Sequence, residues 1–275
     1  MGVVEQPLSK KQQELLRCIY NFRFASTDLL TKNLKLKNKS NIRIRLHDLC
    51  RLGYISRKYN SSYKFLRKPA VFYLLPKSFP VLRKLDGVSG LSLKNMYKDR
   101  HVSERFIHHS LSIYTAYISL KARYYQRLWF FTVNNLKIPS FDYFPRPLPD
   151  AFISLKLSDS PRSTRKHFFL LFCSSRIPVF VHLKQLKSLI DYRDSEQWEQ
   201  TTNTSLSGIL VLTDNRLFQN KLIEKMAKLL YNEGLDEDLS YFITTEDKLA
   251  DISEADSQVG QSISNPTVIR SLERI

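Results

Sequence analysis

The sequence predicts an α+β chain of two domains: three short helices and a basic hairpin, then an α/β sandwich built on one sheet. Three observations carry that expectation. The length of 275 residues, 43% hydrophobic with 17 Phe and 14 Tyr, is enough for two modest cores. The hydrophobic pattern changes from short helices and a hairpin to strands alternating with helices. The charge is split as well. Residues 1–100 hold 22 Lys and Arg against 6 Asp and Glu, whereas residues 101–275 hold 21 against 20, so the net +17 is almost wholly N-terminal. A solubilising surface mixes both signs. A basic module with an ordinary hydrophobic pattern is the electrostatic footprint of a phosphate-backbone binder.

Residues 1–86 supply the first domain. Ser9 is placed to cap a helix whose apolar positions are Leu15, Leu16, Cys18 and Ile19, ending at Asn21 and Phe22. The segment from Phe24 to Asp28 opens a second helix that buries Leu29, Leu30 and Leu34. After the basic turn Lys35 to Lys39, Asn38 or Ser40 caps a third helix running to Leu52, with Ile42, Leu46 and Leu49 at helical spacing. Gly53 stops it. Residues 54–58 and 71–75 read as two strands, and the polar, basic stretch 59–68 as an exposed hairpin tip. This is a winged helix-turn-helix layout. Its Leu46-x-x-Leu49-Cys50-x-Leu52-Gly53-Tyr54-Ile55-Ser56-Arg57 run resembles the third-helix-to-wing junction of many prokaryotic DNA-binding proteins. In that arrangement Lys39, Ser40, Asn41, Arg43 and Arg45 face a major groove, while Arg57, Lys58, Lys64, Arg67 and Lys68 reach an adjacent backbone. Asn41 and Arg45, four apart, share one helix face. Winged helices also dock proteins, so an interaction adaptor is an alternative reading.

Residues 87–100 read as a linker around Gly87 to Leu93. Residues 101–249 then give a long helix (101–123), strands at 128–133, 151–157 and 167–173, a helix with Leu183, Leu186, Leu189 and Ile190, a buried strand at 208–213, a helix at 217–231 and a last strand at 240–244. Residues 250–275 are polar at first and read as a flexible tail, with residues 268–275 able to form a short amphipathic helix.

The order of these elements, with His109-x-Leu-x-Ile-x-x-x-Tyr-Ile-x-Leu120 and Pro149-Asp150-Ala151-Phe152, resembles the replication-relaxation family, DNA-associated proteins of plasmids and integrated mobile elements. Phe168-Phe169-Leu170, Lys187, Tyr192 and the strand 209–213 followed by Arg216 fit it too. The resemblance covers most of residues 8–245. It implies a restriction-endonuclease-like α/β sandwich, the PD-(D/E)xK nuclease fold, for the second domain. It also implies double-stranded DNA as partner, with a relaxase, a replication or transcription protein, or a second copy of the chain as further candidates.

That nuclease chemistry needs at least two carboxylates around a divalent cation and a lysine near the attacking water. Asp150 supplies the first acid, but the following strand, Leu170 to Ser175, has none. Lys184 or Lys187 is the candidate lysine, and Asp142 and Glu104 are the substitute acids. One carboxylate is a poor magnesium site, so the domain is expected to be catalytically silent and used for assembly, with a metal-dependent nuclease as the alternative. His108 and His109 point about 100° apart on a helix. Cys173, Ser174, Ser175 and His182 form no recognisable nucleophile constellation. Cys18, Cys50 and Cys173 read as buried thiols of a cytoplasmic protein without zinc spacing. Seven glycines without a phosphate loop argue against ATP chemistry. No cofactor is implied, no apolar run reaches membrane length, and the N-terminus lacks the layout of a signal peptide.

Overall fold

The computed structural model describes residues 7–36, 38–59, 61–65, 68–158, 164–235, 238, 240–251 and 259–273. The chain divides into two compact units at Tyr114/Thr115, and each is described by itself.

In the first unit, α1 (Lys10–Phe22) begins at Ser9, whose hydroxyl and backbone form a reciprocal capping box with Gln12. A two-residue strand, β1 (Ala25–Ser26), precedes α2 (Thr27–Asn33), and Ser26 caps that helix. Asn38, rather than Ser40, caps α3 (Lys39–Arg51), its side chain accepting from the Ser40 amide at 2.7 Å. Gly53 adopts φ +76° just past that helix, a left-handed stop that a β-carbon would strain. β2 (Ile55–Lys58) and β3 (Val71–Leu74) are joined through a short helix, α4 (Ser61–Phe65), and form an antiparallel sheet in the order β1-β3-β2.

The expected linker is a correction. Residues 87–100 are built into this unit, after the short α5 (Phe79–Leu82), through α6 (Gly90–Met96), with Leu93, Met96 and Asp99 buried. The Ser89 amide donates to Tyr20 Oη at 2.7 Å, and Arg23, which follows α1, pairs with Asp99. Two glycines and two serines made the segment look like a tether, whereas its apolar residues are needed by the core. The unit also takes in the first part of α7 (Glu104–Tyr124). Ile107 packs with Phe24, Tyr63, Val71 and Tyr73, and Tyr114 stacks on Phe22 at 4.0 Å.

The second unit is a seven-stranded mixed sheet in the order β10-β9-β8-β7-β6-β5-β4. Its strands are β4 (Leu128–Thr132), β5 (Ala151–Lys156), β6 (Arg165–Cys173), β7 (Gly208–Thr213), β8 (Tyr241–Thr245), β9 (Gly260–Ser262) and β10 (Ile269–Arg270). β6, β7 and β8 run parallel and the remaining pairings are antiparallel. The parallel strands are apolar on both faces, as strands buried twice must be. The connections are α8 (Val179–Asp194) with α9 (Gln197–Thr202), then α10 (Arg216–Asn232), and α11 (Glu246–Ala250) follows β8. Gly208 opens β7 where a β-carbon would lie 2.1 Å from the Ser240 carbonyl oxygen, so no other residue fits there without moving backbone.

The expected flexible tail is a second correction. Residues 259–273 carry two strands of this sheet and bury Val259, Ile263 and Leu272. The expected helix at 268–275 is absent from its described part, which holds β10; residues 252–258 and 274–275 lie outside the described residues. No described helix is long and apolar enough to cross a membrane.

Candidate nucleic-acid interface

α3 sorts its side chains by face. Ile42, Leu46 and Leu49 are buried, so the residues opposite them are offered to solvent. Arg43, His47 and Arg51 follow one another at four-residue steps and form one exposed stripe. Arg57, on β2, joins them. Together with Thr27, Leu46, Cys50, Ala70 and Phe72 these four line a groove of about 640 Å³ with no carboxylate among its lining residues. Burial pushes the Cys50 thiol above its ordinary range, and the Arg57 charge pulls it back part of the way. Arg51 lies 3.9 Å from Asp48, a loose exposed contact that leaves its charge in play.

The other sequence-predicted residues have different placements. Asn41 is exposed and Arg45 half-buried on a separate flank of α3. Lys39 pairs with Asp28 at 2.8 Å, and Ser40 belongs to the helix cap. Lys58 donates to the Val102 carbonyl at 3.0 Å. Lys64 is exposed on α4, and Lys68 sits over the Tyr63 ring at 5.8 Å. Arg67 lies outside the described residues. Tyr63 anchors the β2–β3 connection by donating to Glu104 at 2.7 Å. Its phenol is pushed up to about 12 by burial and then by the Glu104 carboxylate, so it remains a donor throughout the physiological range. Glu104 is thereby engaged within the first unit. Sequence reasoning missed His47 and Arg51. Their four-residue spacing from Arg43 is the signal that would have found them.

In the second unit, Asp150 stands at the head of β5 and accepts from the Phe172 amide at 2.7 Å. A further acid lies on the parallel neighbour: Asp214, directly after β7. One oxygen of Asp214 accepts from Ser174 Oγ, the Ser175 amide and Ser175 Oγ, each at 2.9 Å, and the other accepts from Asn215. Burial, then the charges of Asp150 and Asp214, pushes the Cys173 thiol well above its usual range, which places both acids around the end of β6. Lys187 is held by Asp191 at 2.8 Å and by Glu233, whose hydrogen bonds raise its ammonium well above the ordinary lysine range. Lys184 is exposed, and Asp142 pairs with Arg146 at 3.6 Å. His182 is buried and donates from Nε2 to the Ser174 carbonyl at 3.0 Å. Among the described residues no group of three or more His, Cys, Asp or Glu is placed to hold a metal ion.

Residues 16–204 match the family model described as replication-relaxation. Comparisons with curated proteins and with solved structures give no match.

Proposed function

Because the chain belongs to the replication-relaxation family, whose match spans the greater part of it, we propose that it binds double-stranded DNA through its first unit in plasmid or mobile-element replication, relaxation or transfer, or in regulating those genes. In this reading the first unit is a winged helix, with α3 in the major groove and the β2–β3 connection as the wing. One observation carries the proposal: Arg43, His47, Arg51 and Arg57 converge on a groove lined by no acid. An interaction adaptor has no need to gather three arginines at one spot with only the loose Asp48 contact to Arg51 beside them, whereas a phosphate backbone supplies the missing charge.

The second unit, in this proposal, is a nuclease-like sandwich that does not cut. Asp214 would be the partner for Asp150, but both of its oxygens already accept donors from Ser174, Ser175 and Asn215. Lys187 is committed to two carboxylates.

The test is duplex binding by the full chain between 50 and 200 mM salt. Wild type is expected to lose affinity steeply, by about 0.9 in log K per log salt for each phosphate neutralised. Arg43→Ala/Arg51→Ala/Arg57→Ala should flatten that slope by about 2.7 if each arginine meets one phosphate. Salt-independent binding, or a slope unchanged in the triple variant, sinks the reading. Nicking of supercoiled plasmid with magnesium or manganese, lost in Asp150→Ala and in Asp214→Ala, would overturn the silent-domain half.

A further inference from the structure

We propose that Ile44 reads thymine methyl groups in the major groove, an inference that rests on the duplex-DNA reading above. Ile44 is 61% exposed, the large hydrophobic residue that α3 turns outward from its middle turns. It stands one position from Arg43, three from His47 and seven from Arg51, so it lies at the edge of their stripe next to Arg51, on the flank that also carries Asp48, and away from Ile42, Leu46 and Leu49. Single exposed aliphatic side chains are common on protein surfaces. This one is distinguished by its setting, a β-branched side chain fixed on a capped helix among cationic groups that share one groove.

The chemistry of the duplex completes the argument. In the major groove a T·A pair presents one apolar feature, the thymine C5-methyl, beside the O4 acceptor, while guanine presents N7 and O6 to arginine. Phosphates on either side meet the flanking arginines. An isoleucine held beside them has a single complementary partner in the major groove, and it is the methyl. The polar residues of the stripe can grip any duplex; Ile44 supplies a preference that charge cannot.

The test isolates one methyl group at a time. Thirty-base-pair duplexes are enriched from a random pool on the full-length chain, then resynthesised with deoxyuridine in place of thymidine, which removes the C5-methyl and leaves base pairing intact. Wild type should bind the uracil duplex about fourfold more weakly for each methyl contacted, the worth of one buried carbon (~0.8 kcal/mol). Ile44→Ala should bind the two duplexes within twofold of each other, and Ile44→Val should keep most of the wild-type difference. Because Ile44 is outside the core, neither substitution is expected to change the thermal midpoint. Equal binding of both duplexes by wild type, with a normal salt slope, overturns the Ile44 assignment and leaves the DNA reading standing. An Ile44→Ala variant as sensitive to uracil as wild type does the same. If no duplex is enriched and binding ignores salt, the DNA reading fails and this proposal fails with it.

Discussion

The two units treat positive charge in opposite ways. In the second, several cations are matched. Arg193 meets Asp238 at 2.7 Å, Arg127 meets Glu273 at 2.7 Å, and Lys187 holds two carboxylates at once. Arg165, with no acid beside it among the described residues, lies 3.7 Å above Trp129 and donates to the Ser154 carbonyl at 2.8 Å. The first unit also has matched pairs, Arg23 with Asp99 and Lys39 with Asp28. Yet it gathers three arginines and a histidine into one groove without an acid in its lining. Matched charges cancel one another's field, whereas a cluster of a single sign projects one that attracts the opposite charge. The count of lysines and arginines in a sequence cannot separate the two uses, but the pairing in the fold does.

The comparison breaks most visibly if the groove is given the acid it lacks. Ala70 lines it, and Ala70→Asp should lower duplex affinity by about a hundredfold (~2.8 kcal/mol), because the new carboxylate pairs with an arginine and repels phosphate. Filter binding at 100 mM salt measures this, and a loss under threefold would mean the groove is not where the duplex sits.

A second experiment sharpens the contrast from the other side. His167 lies beside Arg165 and against the rings of Phe152 and Trp198, which also touch each other. Burial, then the Arg165 charge, lowers its pKa from 6.5 to about 4, so the second unit keeps this ring neutral. A depressed histidine contributes stability above about pH 6.5 that is lost as pH falls through about 4. Urea midpoints should therefore fall between pH 7.5 and pH 4.5, with about 1–2 kcal/mol traceable to this side chain. His167→Phe should remove that portion, and a variant as acid-sensitive as wild type would show that other groups carry it.

The smallest effect is expected at Lys39, whose ion pair with Asp28 is exposed on both sides. Lys39→Ala should cost under about 0.5 kcal/mol of stability. It should change the salt slope less than any single groove arginine does, as urea and salt titrations can check.

Much of this arrangement was legible in the sequence. Ile42, Leu46 and Leu49 announced α3 by their spacing, and the apolar run 208–213 announced a central strand. The losses have physical causes. β1, β9 and β10 are two or three residues long, too short for any period to show. The stretch around Gly260 is polar enough to pass for a tail, because only scattered residues such as Val259, Ile263 and Leu272 reach the core. Of the four cationic residues lining the groove, Arg43 and Arg57 stand out in the sequence near the helix cap and on the strand, whereas His47 and Arg51 join them only through the four-residue step that runs the helix's full length. Asp214 was missed for a topological reason. The parallel pairing of β6 with β7 sets it against Ser174, forty residues earlier in the chain and on a different strand.

The anchoring of the β2–β3 connection has a thermodynamic consequence. Tyr63 is fastened to Glu104 and Lys58 to the Val102 carbonyl, so these two side chains are held by contacts made within the first unit. A loop left free would surrender its conformational entropy at the moment of association and weaken the complex by that amount. Here Tyr63 and Lys58 are ordered when the first unit folds, so these two side chains add nothing to that cost. For the proposed duplex contact, part of the ordering cost is then met by a tyrosine that need not touch the partner at all.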